Sequence, residues 1–229
     1  MNIILSLIIY TFACISFILF GPIILFFTIL NSKKSSKYII PFCKFMIFCF
    51  GCRLKIYGKF PPNDTFVIMA NHVSFLDVFA IPSAFDNSKK FSAVAASKNF
   101  KIPIYSTFLK KMKVVSINRS NREQSIRGIE MAEKVLKENY HIVILPEGTR
   151  TLNGSLGNLK KGGFHLAKNT KANILPIITK WLYNIKPRNR CTIKPGLIEI
   201  YIGSPILTLD KTIDELKEET EQVFNKYLT

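Results

Sequence analysis

Residues 3–30 carry no charged side chain, and this unbroken apolar run predicts a helix long enough to enter a bilayer. At about 1.5 Å per residue it would extend roughly 42 Å, more than the hydrocarbon thickness of about 30 Å. Gly21-Pro22 divides the run, so a tilted single span and a kinked re-entrant pair both fit the pattern. A second apolar stretch, 39–52, is too short to span and is interrupted by Lys44. It is expected to lie in the membrane interface, to pack as a core helix on the rest of the chain, or to do one with each face.

From residue 53 the pattern changes to short runs. Those at 53–57, 65–70, 91–96, 113–117, 141–145, 173–179 and 197–202 read as strands. Between them, Ser120-Asn121-Arg122-Glu123 is a capping box opening a helix whose inward face would be Ile126, Ile129, Ala132, Val135 and Leu136. Thr212-Ile213-Asp214-Glu215 opens a last helix in the same way, with Ile213, Leu216, Val223, Phe224 and Tyr227 inward. Strands alternating with helices predict an α/β sandwich. No repeat or low-complexity linker interrupts the alternation. The expected organisation is membrane-anchoring helices over 1–52, the first in the membrane and the second in its interface, followed by one domain over 53–229.

Lysine and arginine total 32 against 15 acidic residues, a net charge of +17, which implies an anionic partner: nucleic acid, anionic lipid or a phosphorylated substrate. The apolar N-terminus selects the membrane. Lys33, Lys34 and Lys37 follow it with no acidic residue nearby, which places the downstream chain on the cytoplasmic side. The run lacks a basic n-region and is too long for a signal core, so a retained anchor is expected, in what we read as a bacterial inner membrane. Phe12, bulky and close before Cys14, argues against lipoprotein processing there. Cys14, Cys43, Cys49, Cys52 and Cys191 are odd in number and read as reduced packing residues. Cys49 and Cys52 have half-site spacing, but no second Cys or His pair accompanies them, so no metal site is expected.

The chemistry concentrates in Asn71-His72-Val73-Ser74-Phe75-Leu76-Asp77, between a buried strand and a helical segment. Ser74 fits the N-cap position, which would put His72 just outside the helix and Asp77 in its first turn, so that the two side chains converge. An imidazole held through one ring nitrogen by a carboxylate suits the abstraction of a hydroxyl proton. Ser74 and Asp77 alone also satisfy a plain capping pattern. A second strand, 141–145, ends in Pro146-Glu147-Gly148-Thr149-Arg150, where Gly148 permits a tight turn and Thr149 and Arg150 offer a hydroxyl and a guanidinium suited to phosphate. Both loops can face one cleft if their strands run the same way. Lys98 lies past another strand end, Arg119 closes the strand that begins Val114-Val115, and Pro176 interrupts an apolar strand.

In this order, Asn-His-x4-Asp, a strand ending in Arg, Pro-Glu-Gly-Thr-Arg and an apolar-Pro-apolar strand resemble the glycerolipid acyltransferases, specifically the 1-acylglycerol-3-phosphate acyltransferase family, over about 65–178. The resemblance implies the fold of that family, an α/β structure with a mixed sheet of about seven strands flanked by helices. It implies that His72 is the general base and Asp77 its orienting partner. Arg119, Glu147, Gly148, Thr149 and Arg150 would form the phosphate and glycerol site of the acceptor, with Lys98 near the phosphate. Pro176 would belong to the lining of the acyl site. Lys160 and Lys161 resemble lysines that serve the phosphate or the membrane. Asn118 departs from the family, many members of which have Asp there, and this leaves Arg119 without a neighbouring carboxylate.

The implied reaction moves an acyl chain from an acyl thioester, of coenzyme A or acyl carrier protein, to the 2-hydroxyl of a monoacylglycerol phosphate on an anionic membrane surface. No cofactor beyond that co-substrate is expected, and no nucleic acid. Ser74 reads as a cap rather than a nucleophile, and backbone N–H groups at the following helix start are expected to hold the oxyanion. His141 and His165 read as structural. Another lysolipid acceptor, such as a lyso-aminolipid, remains an alternative, as do a membrane-tethered nucleic-acid binder and a non-catalytic lipid scaffold. The first of these two lacks a recognised binding motif, and the intact His72 and Asp77 speak against the second.

Overall fold

The computed structural model describes residues 2–62, 64–118 and 121–228. The N-terminal run forms α1 (Ile3–Leu30), capped by the Asn2 side chain, and continues through Pro22 without dividing into a re-entrant pair. After a 3-10 turn at Ser32–Lys34, α2 (Ser36–Cys49) folds back along it. Phe27 stacks on Tyr38, and Phe20 meets Phe45 edge to face. One face of α2, with Ile39, Ile40, Cys43, Met46 and Ile47, is buried in the same apolar cluster as the sheet, while Phe48 on its other side is 68% exposed. Most of α1 stays uncovered, with Ile3, Ile4, Ile8, Ile18 and Leu19 among its exposed apolar side chains. It is one helix long and apolar enough to cross a membrane.

The strands are β1 (Arg53–Tyr57), β2 (Val67–Ala70), β3 (Phe91–Ala96), β4 (Val115–Ile117), β5 (His141–Ile144), β6 (Ile174–Lys180) and β7 (Leu197–Ile202), in the spatial order β1-β7-β6-β2-β5-β3-β4. The block from β6 to β4 is parallel; β7 runs antiparallel to β6 and parallel to β1, so the sheet is mixed. The carboxyl ends of β2, β3, β4, β5 and β6 therefore share one edge. That edge is where loops of an open α/β sheet meet a ligand.

Strand residues alternate between two cores, as the period of a pleated strand requires. Ile68, Ala70, Val143, Leu175 and Ile177 face the layer of α1, α2 and α3 (Asp77–Ser83). Val67, Met69, Ile142, Ile144 and Ile174 face α5 (Arg122–Lys137), α6 (Gly162–Thr170) and α8 (Ile213–Leu228). The short helices α4 (Tyr105–Lys111) and α7 (Leu182–Ile185) complete the set among the described residues. Burial on both sides explains why β2 and β5 read as continuous apolar runs.

The capping box at Thr212 is formed: Glu215 N–H donates to Thr212 Oγ1 at 3.2 Å, and Thr212 N–H to Glu215 Oε2 at 2.7 Å. At α5 the cap is Asn121, whose Oδ1 accepts from Gln124 N–H at 2.9 Å, and the expected cap Ser120 lies outside the described residues. Ile126, expected inward, is 50% exposed; the buried positions of α5 are Gly128, Ala132 and Leu136, spaced four apart. Pro176 sits inside β6 opposite Met69. Its carbonyl accepts from Gly203 N–H at 2.9 Å, just beyond the end of β7. A Cβ at Gly203 would come within 2.8 Å of the Pro176 ring.

His141 opens β5 in a buried site between the rings of Phe60 and Phe66, and its Nδ1 accepts from Phe66 N–H at 3.1 Å. Burial, aided by Lys89, pushes its pKa down to about 4. Below the unfolded value of about 6.5 the unfolded chain takes up a proton that the native chain refuses, so stability falls as pH drops from there toward 4. The expected loss across that window is about 3 kcal/mol. Thermal melts from pH 7 to pH 4.5 on the full chain and on His141→Gln check it: the variant should show a visibly shallower decline, and equal slopes would show that His141 does not carry the effect.

Candidate active site

At the end of β2 the chain is fixed to β6 by Asn71. Its Nδ2 donates to Thr179 O at 3.0 Å and its Oδ1 accepts from Thr179 N–H at 2.8 Å, both buried. His72 leaves this clamp into a turn built around Asp77. Asp77 Oδ2 accepts from Val73 N–H at 2.9 Å and Ser74 N–H at 3.0 Å, and lies 2.7 Å from His72 Nδ1. With the carboxylate accepting, Nδ1 carries the proton and Nε2 presents a lone pair. Asp77 is 1% exposed while His72 is partly open to solvent. The arrangement is a buried orienter behind an accessible base.

Two expectations change here. Ser74 is not the cap: α3 starts at Asp77, and the Ser74 hydroxyl donates to Lys186 O at 2.7 Å. The Ser74 oxygen still accepts from Leu76 N–H at 3.3 Å within the turn, while the Asp77 carboxylate serves the donors of Val73 and Ser74 ahead of it. For the same reason the Val73 and Ser74 N–H groups, the nearest to His72, are committed to Asp77 rather than open to an oxyanion.

β5 is the parallel neighbour of β2, so its loop arrives beside His72. Thr151 N–H donates to His72 O at 2.9 Å. Glu147, 5% exposed, uses both carboxylate oxygens on backbone: Oε1 accepts from His72 N–H at 2.6 Å and Oε2 from Gly157 N–H at 2.8 Å. Burial pushes its pKa up, against the pull of those two donors and of His72. Gly148 has φ +73°, the left-handed turn that glycine permits, and a Cβ there would meet the Lys160 side chain at 3.2 Å. Thr149 Oγ1 accepts from Arg188 Nη1 at 3.0 Å.

The structure thus gathers His72, Asp77, Glu147, Gly148, Thr149 and Arg150 at one edge. Lys98 is exposed in the 3-10 turn Ser97–Lys101 after β3, on the same edge. Arg119 lies outside the described residues. Pro176, expected to line the acyl site, is buried within the sheet. Lys161 pairs with Asp214 at 2.6 Å, and His165 is exposed on α6. Three contacts escaped the sequence. Asn71 bridging to β6, Gly157 N–H donating to Glu147 and Lys186 O accepting from Ser74 each join residues ten or more positions apart, and no local pattern marks the partner.

A sequence model of the acyltransferase family matches residues 53–180, more than half of the chain. The chain belongs to the acyltransferase family. This acyltransferase is 28% identical over 163 residues to a 1-acyl-sn-glycerol-3-phosphate acyltransferase of Chlamydomonas reinhardtii, covering 71% of this chain and 48% of that one. It is 27% identical to the 1-acyl-sn-glycerol-3-phosphate acyltransferase of Cocos nucifera, covering 81% of this chain and 60% of that one. The chain therefore spans about half the length of these curated relatives. In fold it is similar to the crystal structure of the 1-acyl-sn-glycerophosphate acyltransferase PlsC from Thermotoga maritima, with a TM-score of 0.84 at 24% identity over 99% of this chain and 94% of that one.

Proposed function

We propose that the protein transfers an acyl chain from an acyl thioester, of coenzyme A or acyl carrier protein, to the 2-hydroxyl of 1-acylglycerol 3-phosphate, giving phosphatidic acid for phospholipid synthesis. The observation that carries this reading is the 2.7 Å pairing of His72 with Asp77 on the sheet edge that also bears the Pro146–Arg150 loop. His72 Nε2 takes the proton of the hydroxyl as that oxygen attacks the thioester carbonyl. The tetrahedral intermediate collapses by breaking the carbon–sulfur bond, and the imidazolium returns the proton to the departing thiolate. The base is regenerated and no acyl-enzyme forms.

Arg150, with Arg119 and Lys98, holds the acceptor phosphate, so that remote binding positions the reacting hydroxyl. Glu147 also fixes the His72 backbone to the following loop, each of its oxygens accepting one N–H group. Residues 1–52 act as the anchoring segment, with α2 also packed into the core of the catalytic part over 53–229, held at the cytoplasmic leaflet of a bacterial inner membrane. There an acceptor keeps its acyl chain in hydrocarbon while its headgroup reaches the site.

The test is a panel of lysolipids with a labelled acyl thioester. 1-Acylglycerol 3-phosphate should be the best acceptor, and a lyso-aminolipid accepted at a higher kcat/KM would replace this reading. In the same assay Arg150→Ala is expected to raise KM for the phosphorylated acceptor by roughly 10- to 100-fold, the value of a charge-assisted contact, with little change in KM for the thioester. Equal effects on both substrates would take Arg150 out of the phosphate site.

A further inference from the structure

The segment 182–190 lies beyond the part of the chain that the family model matches, yet it closes over the candidate site. Three contacts hold it there. Lys186 O accepts from the Ser74 hydroxyl at 2.7 Å, which ties the segment to the Asp77 turn. Tyr183 OH donates to Leu152 O at 2.8 Å, which ties it to the loop following Arg150. Arg188 Nη1 donates to Thr149 Oγ1 at 3.0 Å, between Gly148 and Arg150.

Four cations meet at this junction: Arg150, Lys186, Arg188 and Arg190. Among the described residues none of them forms an ion pair with a carboxylate. Two are spoken for by backbone. Lys186 Nζ donates to the carbonyls of Pro187 and Arg190, and Arg190 donates to the carbonyls of Asn184, Ile185 and Thr192. These bonds fold the segment into a rigid hoop rather than a loose basic surface. Burial depresses the Lys186 pKa, opposed by the nearby Cys191 and helped by Arg150 and Arg190. Arg188 is different, since it is exposed and its hydrogen bond among the described residues goes to a neutral hydroxyl. A guanidinium fork has further N–H groups to offer.

We infer that Arg188 is a further ligand of the acceptor phosphate, acting with Arg150 from across the mouth of the site. The inference rests on the acceptor reading given above and names a residue outside the motifs that suggested it. Position favours the acceptor over the thioester as the source of the phosphate. Thr149 is only two residues from Thr151, whose N–H binds His72 O, and two residues span at most about 7 Å. In the acceptor the phosphate ester sits on the carbon next to the one bearing the reacting hydroxyl. In a coenzyme A thioester the phosphates lie at the far end of the pantetheine arm. Arg188, bonded to the residue before Arg150, is assigned to the same acceptor phosphate as Arg150.

The experiment compares the full-length protein, Arg188→Ala and Arg188→Lys in detergent, with 1-acylglycerol 3-phosphate and with the unphosphorylated 1-acylglycerol as acceptors. Arg188→Ala should raise KM for the phosphorylated acceptor roughly 10-fold or more, leave KM for the thioester and kcat on the unphosphorylated acceptor near wild type, and melt at the wild-type temperature. Arg188→Lys should recover part of the loss, because it restores charge without the fork. Equal losses on both acceptors would make Arg188 a structural residue, and a rise confined to the thioester would move it to the donor site; either overturns the inference. A wild-type protein inactive on 1-acylglycerol 3-phosphate would instead overturn the acceptor reading. Inhibition by glycerol 3-phosphate of whatever transfer it does perform then decides Arg188: weaker inhibition of Arg188→Ala supports it, and unchanged inhibition removes it.

Discussion

His72→Ala is expected to lower acyl transfer by about a thousandfold while leaving the protein folded, because a positioned general base contributes roughly 10²- to 10⁴-fold. The fold should survive because the imidazole is partly exposed and the donors that shape the turn are backbone groups, which the substitution leaves in place. Loss should appear in kcat, since His72 acts on the reacting hydroxyl and not on the phosphate. Asp77→Asn is expected to be severe with residual activity. It removes the charge behind the imidazole but keeps an oxygen able to accept from Val73 and Ser74 N–H. If purified His72→Ala kept a tenth or more of wild-type turnover at an unchanged melting temperature, the base would have to be sought elsewhere.

The second large effect is on folding, and it depends on where the N-terminus is cut. A chain beginning at Arg53 is expected not to fold, because α2 supplies Ile39, Ile40, Cys43, Met46, Ile47 and Cys49 to the core beneath the sheet. At about 1.5–3 kcal/mol for each large apolar side chain, their burial is worth on the order of 10 kcal/mol, as much as the whole stability of a typical domain. A chain beginning at Ser32 should fold. The α1 it lacks buries Ile9 and Ala13 in that core, packs Tyr10 and Ile24 against it, and bonds the Ser6 hydroxyl to Ile193 and Tyr10 OH to Cys191 O. It should melt a few degrees lower, keep activity on short-chain acceptor in detergent and lose most activity on acceptor in vesicles. Sedimentation and melting curves of the two truncations, with vesicle and detergent assays of the shorter deletion, check this. A chain from Arg53 that melted cooperatively would show that α2 is dispensable, and one from Ser32 fully active on vesicles would reduce α1 to a tether.

Cutting at Arg53 looks natural in the sequence, since the apolar stretches end there and the short strand runs begin. Apolar spacing shows that a segment must be covered but not what covers it, and bilayer and sheet make the same demand on Ile39 or Met46. Strand and helix positions were legible because pleat and helix impose local periods, and 53–57, 91–96 and 197–202 coincide with β1, β3 and β7. The convergence of His72 and Asp77 was legible for a related reason: five residues of turn bring them together whatever the rest of the chain does. What local pattern could not show is the use of each polar group by distant backbone. Glu147 reads as a ligand in its motif, and only the fold shows that its oxygens also accept from His72 and Gly157 N–H. Ser74 reads as a cap, yet its hydroxyl binds Lys186, 112 positions away. Arg188 gave no signal because its position against Thr149 depends on a hoop closed by carbonyl contacts. Sequence by itself determined the elements, the charge and the pairing of His72 with Asp77; which groups are spent on structure and which are left to meet a substrate was decided only when parallel strands brought separate loops to one edge, because a buried N–H takes the nearest acceptor the fold provides.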